Sequence, residues 1–309
     1  MISSFFSKTK PINYVVLSIF LVLFFGFYHF LGVSHKVLDD NYLLDVLSLI
    51  ALVVQMLLIN EIVRTEKVTG FSSYAMLFFV LLLVVFPETM MDRNVVFCNF
   101  FILLSLWRML AVKSIKNVRS KIFDASFFIG VASLFIDWTL VFLALVFLVI
   151  NLYDKGIFKN WLVPFLAIIT VGILTFTTFL LYNDFQFLEE HYRFRIGFFK
   201  ENLTSFKMIK SIIYNVLLLI VASLVFLKLR QKGGGKLLAL RILFFAFLLS
   251  IIITLLSSNT TTSVLIGFFP ASVFITNCLE TFKQNRYKEV ALVILLFLPF
   301  FILAVQLSS

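Results

Sequence analysis

An apolar run from Phe123 to Tyr153 decides how this chain can be arranged in a membrane. The run follows five basic residues between Arg108 and Lys121 and is about thirty residues long. A bilayer core about 30 Å thick needs roughly 20 helical residues, so the run is too long for one upright helix and short for two. One tilted helix would place the Asp137 carboxylate near the bilayer centre, at a cost of roughly 2.5–3.5 kcal/mol. Two short helices would place it at their tip.

The distribution of basic residues favours the two short helices, a hairpin over residues 123–153. With a hairpin, 19 of the 26 Lys and Arg residues lie on the side of the membrane that holds the N-terminus. With a single span, everything after Tyr153 changes side and the split becomes 14 to 12. The positive-inside rule therefore predicts the hairpin. The seven basic residues left for the outer face are Lys36, Arg93, Arg193, Arg195, Lys200, Lys207 and Lys210.

The composition is that of an integral membrane protein. The 309 residues are 61% hydrophobic, with a formal net charge of +10. In a soluble protein such a charge would suggest nucleic acid. Here the basic residues occupy short connections beside apolar segments, where they orient the spans and contact anionic lipid head groups. We therefore expect membrane lipids, and no nucleic acid, as partners.

The apolar segments predict an all-α, polytopic membrane protein. We expect about eleven transmembrane helices, with the N-terminus inside and the C-terminus outside. Gln55, in the middle of the second span, is expected to hydrogen-bond a neighbouring helix. Besides the hairpin, the predicted spans are 11–33, 42–63, 71–86 (stopped by Pro87), 94–111, 161–182, 211–227, 237–256, 264–278 and 290–307.

These spans form a single transmembrane domain over residues 1–309. A glycine-rich cytoplasmic linker at residues 232–236 divides it into helices 1–8 (residues 1–231) and helices 9–11 (residues 237–309). Three consecutive glycines make such a connection flexible. A phosphate-binding loop would follow a strand and contain a GK[ST] sequence, and this linker has neither. We therefore interpret it as a hinge or a plain connector.

Cysteines and histidines indicate neither a disulfide framework nor a bound metal. Cys98 and Cys278 both lie within apolar runs, and the three histidines are scattered. A His-rich iron or haem site is therefore not indicated. We expect no cofactor and no metal ligands, although several carboxylates near one membrane surface could hold a divalent cation.

Charged residues that topology alone does not explain gather on the predicted outer face. Two adjacent carboxylates follow the first span and one interrupts the hairpin, where a general base could stand. A histidine and two arginines lie in the longest outer segment, where they could hold a phosphate group. The alternative is that outer loops simply need polar residues. The candidate catalytic residues are Asp39, Asp40 and Asp137, and the candidate substrate-binding residues are His191, Arg193 and Arg195.

The opening MISSFFSKTKPIN and the segment KSIKNVRSKIFDASFFIGVASLF carry a family resemblance. Both are similar to an uncharacterised family of multi-span inner-membrane proteins from Bacteroidota, and the similarity covers nearly the whole chain. Members of that family have been labelled carotene monooxygenases. The three scattered histidines give that label no iron site, and we reject it.

The chain also resembles membrane-embedded polyprenyl-phosphate-sugar glycosyltransferases. The shared pattern is an acidic pair after the first span, a basic inner loop, and a short helix pair that reads FFIGVASLF. In that class the carboxylate after the first span is the catalytic base, which implies Asp39 or Asp40 here. Those enzymes carry a long first outer loop, whereas this one has about eight residues. The O-antigen polymerase and ligase class instead uses basic residues in a later outer loop, as in the 191–195 segment here.

Two function classes follow from the sequence. The first is an enzyme that acts at the outer face on a lipid-linked glycan, with a polyprenyl-phosphate lipid as its partner. The alternative is a non-catalytic scaffold or gating subunit of a larger cell-envelope complex, with protein partners. The first predicts that Asp40→Asn or Asp137→Asn removes function from a protein that still accumulates normally. The second predicts tolerance there and sensitivity on the helix faces.

Overall fold

The structure is a computed structural model that describes residues 5–30, 42–114, 116–153, 156–182, 190–194, 197, 206–229, 235–257, 262–282 and 284–308. Within these residues the fold is helical, without a strand, as predicted. Short 3₁₀ helices cover Val112–Ser114, Asp137–Phe142 and Ser263–Gly267. The α-helices are α1 (Pro11–Phe30), α2 (Tyr42–Thr65), α3 (Tyr74–Val85), α4 (Glu88–Met91), α5 (Arg93–Ala111), α6 (Val118–Ser133), α7 (Leu143–Tyr153), α8 (Phe158–Tyr182), α9 (Phe206–Leu229), α10 (Gly235–Leu256), α11 (Phe268–Glu280) and α12 (Asn285–Ser308).

Membrane-helix character is confirmed for most of the predicted spans. Eight helices in the described part of the chain are long and apolar enough to cross a membrane. Three shorter helices, α3, α6 and α7, occupy the remaining predicted segments. Several helices begin earlier than predicted, for example α6 at Val118 and α9 at Phe206, because the helix continues into polar residues at the ends of the apolar core. The count of eleven crossings and the orientation of the termini stay predictions.

Helix α3 is the centre of the fold. All of its twelve residues are buried, and it packs against α1, α2, α11 and α12. A helix of this length is about 18 Å long, well short of a bilayer core. It ends at Phe86 because Pro87 lacks an N–H group and disfavours helix at the preceding residue. The stop predicted from the sequence is therefore confirmed. The predicted start at Phe71 is three residues early, since Gly70 and Ser72 are bonded to the Glu280 carboxylate instead.

The apolar run of residues 123–153 contains the helix break that the hairpin requires. Helix α6 ends at Ser133, residues 134–136 leave the helix, and the chain continues through the 3₁₀ helix Asp137–Phe142 into α7. Helix α7 contacts the 3₁₀ helix Val112–Ser114, which precedes α6. The run therefore starts and finishes at the same end of the fold.

A buried amide network joins α2 to α5. The Gln55 side chain donates from Nε2 to the Val96 carbonyl at 2.8 Å, and its Oε1 accepts from Asn99 Nδ2 at 2.7 Å. The helix–helix hydrogen bond expected of Gln55 is confirmed. In membrane proteins such a bond contributes about 1 kcal/mol.

Polar contacts between distant segments gather at the two ends of the helical bundle. At the N-terminal end, Asn13 donates to Ser73 Oγ at 2.9 Å, Lys113 pairs with Glu66 at 2.9 Å, and Arg119 donates to Asn160 at 3.2 Å. The opposite end holds the ends of α1, α3, α8 and α12. Which side of the membrane each end faces stays a prediction.

Candidate functional site

The structure describes three of the six candidate residues that were predicted from the sequence. Asp137, His191 and Arg193 belong to the described residues. Asp39, Asp40 and Arg195 lie outside the described residues, and their roles stay predictions.

The segment of residues 190–194 docks on the end of α6. His191 Nε2 is 2.8 Å from the Ser133 carbonyl oxygen, and the Tyr192 hydroxyl is 3.0 Å from Ser133 Oγ. The Phe194 ring lies edge-on to Trp138, with ring centroids 5.4 Å apart. We call Ser133, Asp137, Trp138, His191 and Tyr192 the hairpin-tip site. Two of its members were candidates from sequence, although they are more than fifty positions apart in the chain.

Asp137 is the first residue of the 3₁₀ helix that follows the break. It is half-buried, and its Oδ1 accepts the Trp138 backbone N–H at 2.8 Å. The Asp137 charge also acts on Tyr192: burial raises the pKa of the Tyr192 hydroxyl, the Ser133 hydrogen bond lowers it, and the Asp137 carboxylate raises it further. The hydroxyl therefore remains protonated at neutral pH. Arg193 lies on the exposed side of the same segment.

An apolar groove of 390 Å³ lies beside the hairpin-tip site, between α6 and α8. It extends to Leu134, the residue after Ser133. Most of its lining is hydrocarbon, so a phosphate or sugar group would find few partners inside it. Its lining residues are Phe127, Val131, Leu134, Val171, Leu174, Thr175, Thr178, Phe179 and Tyr182.

A second polar cluster, which the sequence did not reveal, surrounds the end of α3. Lys210 Nζ is 3.0 Å from Glu88 Oε1 and donates to the Val85 carbonyl and to Gln306 Oε1, each at 2.8 Å. The two charged side chains are only 6% and 10% exposed. All three ammonium protons thus have acceptors. One acceptor is the Val85 carbonyl, freed where Pro87 ends the helix, and a cation is favoured at a helix C-terminus.

The carboxylates next to this cluster also have partners. Asp45 Oδ1 is 2.7 Å from Arg93 Nε. Asp92 caps α5 by accepting from the Val95 N–H at 3.3 Å, and it accepts from the Thr262 hydroxyl at 2.8 Å. These contacts join α2, α5 and the segment before α11, so they have a structural role.

No three His, Cys, Asp or Glu side chains of the described residues come together as metal ligands. Asp39 and Asp40 lie outside that part of the chain. A divalent cation at the predicted outer face therefore stays a prediction.

No curated protein and no solved structure shows a significant match to the sequence. One family profile does match, over residues 8–308, which is nearly the full length. The description of that family assigns it no function. The chain belongs to the family of unknown function DUF6427.

Proposed function

We propose that this protein acts on a lipid-linked polyprenyl-phosphate glycan at the outer face of the inner membrane, in Bacteroidota cells. The observation that carries the proposal is the hairpin-tip site, where Ser133 holds the His191 imidazole and the Tyr192 phenol, the Asp137 carboxylate lies within electrostatic range of that phenol, and an apolar groove lies alongside. An amphiphile with a hydrocarbon chain and a polar, anionic head fits such a neighbourhood.

The proposed reaction is glycosyl transfer. Asp137 takes the proton of an acceptor hydroxyl while the hydroxyl oxygen forms a bond to the anomeric carbon of the donor sugar. The bond between that carbon and the phosphate oxygen breaks, and the phosphate leaves with the electron pair as polyprenyl phosphate. His191, Arg193 and Arg195 contact the leaving phosphate. Tyr192, protonated at neutral pH, donates to Ser133 Oγ, whose own hydroxyl donates to the Gly130 carbonyl, and so holds this segment in place beside the phosphate.

The reaction requires that the hairpin-tip site face the outer side, so the proposal includes eleven crossings with the N-terminus inside. Two observations support this arrangement. Near the N-terminus, the Phe6 carbonyl accepts a hydrogen bond from the Ser73 N–H at one end of the bundle. Near the C-terminus, Gln306 accepts one from Lys210 at the other end. An odd number of crossings separates the termini in this way, and the basic residues concentrate at the end that holds Phe6.

Cysteine labelling in spheroplasts tests this orientation. In a variant without Cys98 and Cys278, we introduce Lys10→Cys, Gly156→Cys or Glu190→Cys, one at a time. A membrane-impermeant maleimide should label only the residue-190 variant until the membrane is opened. A single crossing by residues 123–153 would give the reverse result for positions 156 and 190. Labelling at position 10 before opening would contradict the inside N-terminus.

A scaffold or gating subunit is the second candidate function, and one observation favours it. The described carboxylates Asp45, Glu88 and Asp92 are held by ion pairs, a helix cap and a hydroxyl, as expected of structural groups. Under this function, substitutions on the exposed faces of α8 or α12 would disrupt a complex, and substitution of Asp137 would be tolerated.

The lipid-linked pool in cells tests the enzyme proposal. Cells without this protein should accumulate the polyprenyl-phosphate-linked glycan that it consumes, because the transfer step is lost while synthesis continues. The pool is measured by mass spectrometry of lipid extracts. If the deletion strain contains the same amount of lipid-linked glycan as the parent strain, the enzyme proposal is contradicted.

A further inference from the structure

Helices α6 and α8 run side by side in the same direction and in register. Arg119 bonds to Asn160, and a Cβ atom on Gly130 would lie 2.9 Å from Val171 Cγ2. Both pairs are separated by 41 positions (160 − 119 and 171 − 130), so Ser133 lies level with Leu174. Helix α8 continues to Tyr182, eight residues further. At 1.5 Å per residue it extends about 12 Å past the end of α6.

The groove follows from this difference in length. It begins where Gly130 lets the two helices touch at Val171, and it reaches Tyr182 at the end of α8. Its volume of 390 Å³ is in the range of small-molecule sites. Two threonines line it, and both hydroxyls are bonded inside α8: Thr175 donates to the Val171 carbonyl and Thr178 to the Leu174 carbonyl. The groove therefore offers an occupant hydrocarbon contacts.

The groove borders the most exposed part of α8. Leu181 and Tyr182 are each 79% exposed. For a helix that spans a membrane, exposed apolar side chains contact lipid chains, so an occupant can enter sideways from the bilayer. A tyrosine at the end of a span suits the level of the lipid head groups.

Polar groups of the hairpin-tip site border the groove near the end of α6. Leu134 lines it, and the neighbouring Ser133 holds His191 and Tyr192. Arg193 follows on the exposed side and adds a positive charge. A ligand that fills the groove with hydrocarbon therefore has its head beside an imidazole, a phenol and the Arg193 guanidinium.

We infer that the groove between α6 and α8 holds the isoprenoid chain of one polyprenyl-phosphate lipid, with its phosphate at the hairpin-tip site. The choice of an isoprenoid chain over the acyl chain of a phospholipid rests on the proposed function. The groove and its exposed border rest on the structure, and the head group is placed by the neighbouring polar side chains.

Photolabelling of the full-length protein in nanodiscs tests the inference. The probe is a polyprenyl phosphate with a diazirine on its chain, in discs of phosphatidylethanolamine and phosphatidylglycerol. Thr178→Trp fills the groove. Thr177→Trp is the matched control, because Thr177 is the next residue of α8, is also exposed, has its hydroxyl bonded inside the helix, and does not line the groove.

We expect labelled peptides from α6 and α8 in the unmodified protein and in the Thr177 variant. Labelling in the Thr178 variant should fall at least about tenfold. Equal labelling of the two variants would overturn the inference, as would displacement of the probe by excess phosphatidylglycerol. The amount of lipid-linked glycan in cells tests the proposed function separately from the groove. If this glycan accumulates when the gene is deleted, the enzyme proposal is supported even when the groove is not labelled.

Discussion

Replacing Lys210 by methionine is expected to destabilise the folded protein by about 3–5 kcal/mol, because it leaves the Glu88 carboxylate buried without its cation. The Glu88 side chain is only 10% exposed, so water cannot replace the ammonium group. The Val85 carbonyl and Gln306 lose their donor at the same time. The measurement is the midpoint of thermal unfolding in mild detergent, with the protein followed by size-exclusion chromatography.

Two further variants separate charge pairing from general damage. Lys207→Met removes a charge from an exposed position on the same helix, and we expect a change within about 0.5 kcal/mol. A double variant with Lys210→Met and Glu88→Gln removes both charges and should recover much of the loss, since a buried pair replaced as a whole is often neutral. A Lys210→Met protein that unfolds like the parent would show that the pair contributes nothing.

Replacing Asp137 by asparagine is expected to abolish turnover of the lipid-linked glycan in a protein that still accumulates. An amide oxygen can accept the Trp138 N–H as the carboxylate does, so the turn at residues 134–138 should be retained. The amide cannot take a proton, and loss of a general base slows a reaction by about 10²–10⁴-fold. The pool of polyprenyl-linked glycan should rise to the level of the deletion strain, with normal protein abundance on immunoblots.

Asp45→Asn is the control for this prediction. Asp45 is an acidic residue at the same end of the bundle, but it pairs with Arg93 at 2.7 Å, so its loss should lower stability more than turnover. If cells with the Asp137 variant instead contain the same amount of lipid-linked glycan as the parent strain, the carboxylate is not the base. The scaffold function would then be favoured.

Local signals in the sequence predicted the break points of the fold. Pro87 marks the end of α3, and the position of Asp137 in an apolar run marks the break after α6. The hairpin stays a prediction; it rests on where the basic residues fall, because the positive-inside rule counts charges over whole loops and needs no contact information. Gln55 was predictable for a similar reason, since an amide in mid-span requires a partner.

Contacts between distant segments could not be predicted in this way. The Lys210 ammonium meets the end of α3 and Gln306, which are more than ninety positions away on either side. A single sequence does not show which faces of α3, α9 and α12 are in contact. From the sequence, Lys210 was therefore predicted only to be one of the basic residues on the outer face. The return of Tyr192 to Ser133 depends in the same way on tertiary packing.

The proposed function requires that a polyprenyl-phosphate lipid binds at the hairpin tip. Purification from native membranes in mild detergent, with mass spectrometry of the lipids and proteins that copurify, tests it most directly. We predict about one polyprenyl-phosphate lipid per chain and no protein in matching amount. A stoichiometric protein partner, without an enriched lipid, would contradict the claim and identify the chain as a subunit of a larger complex.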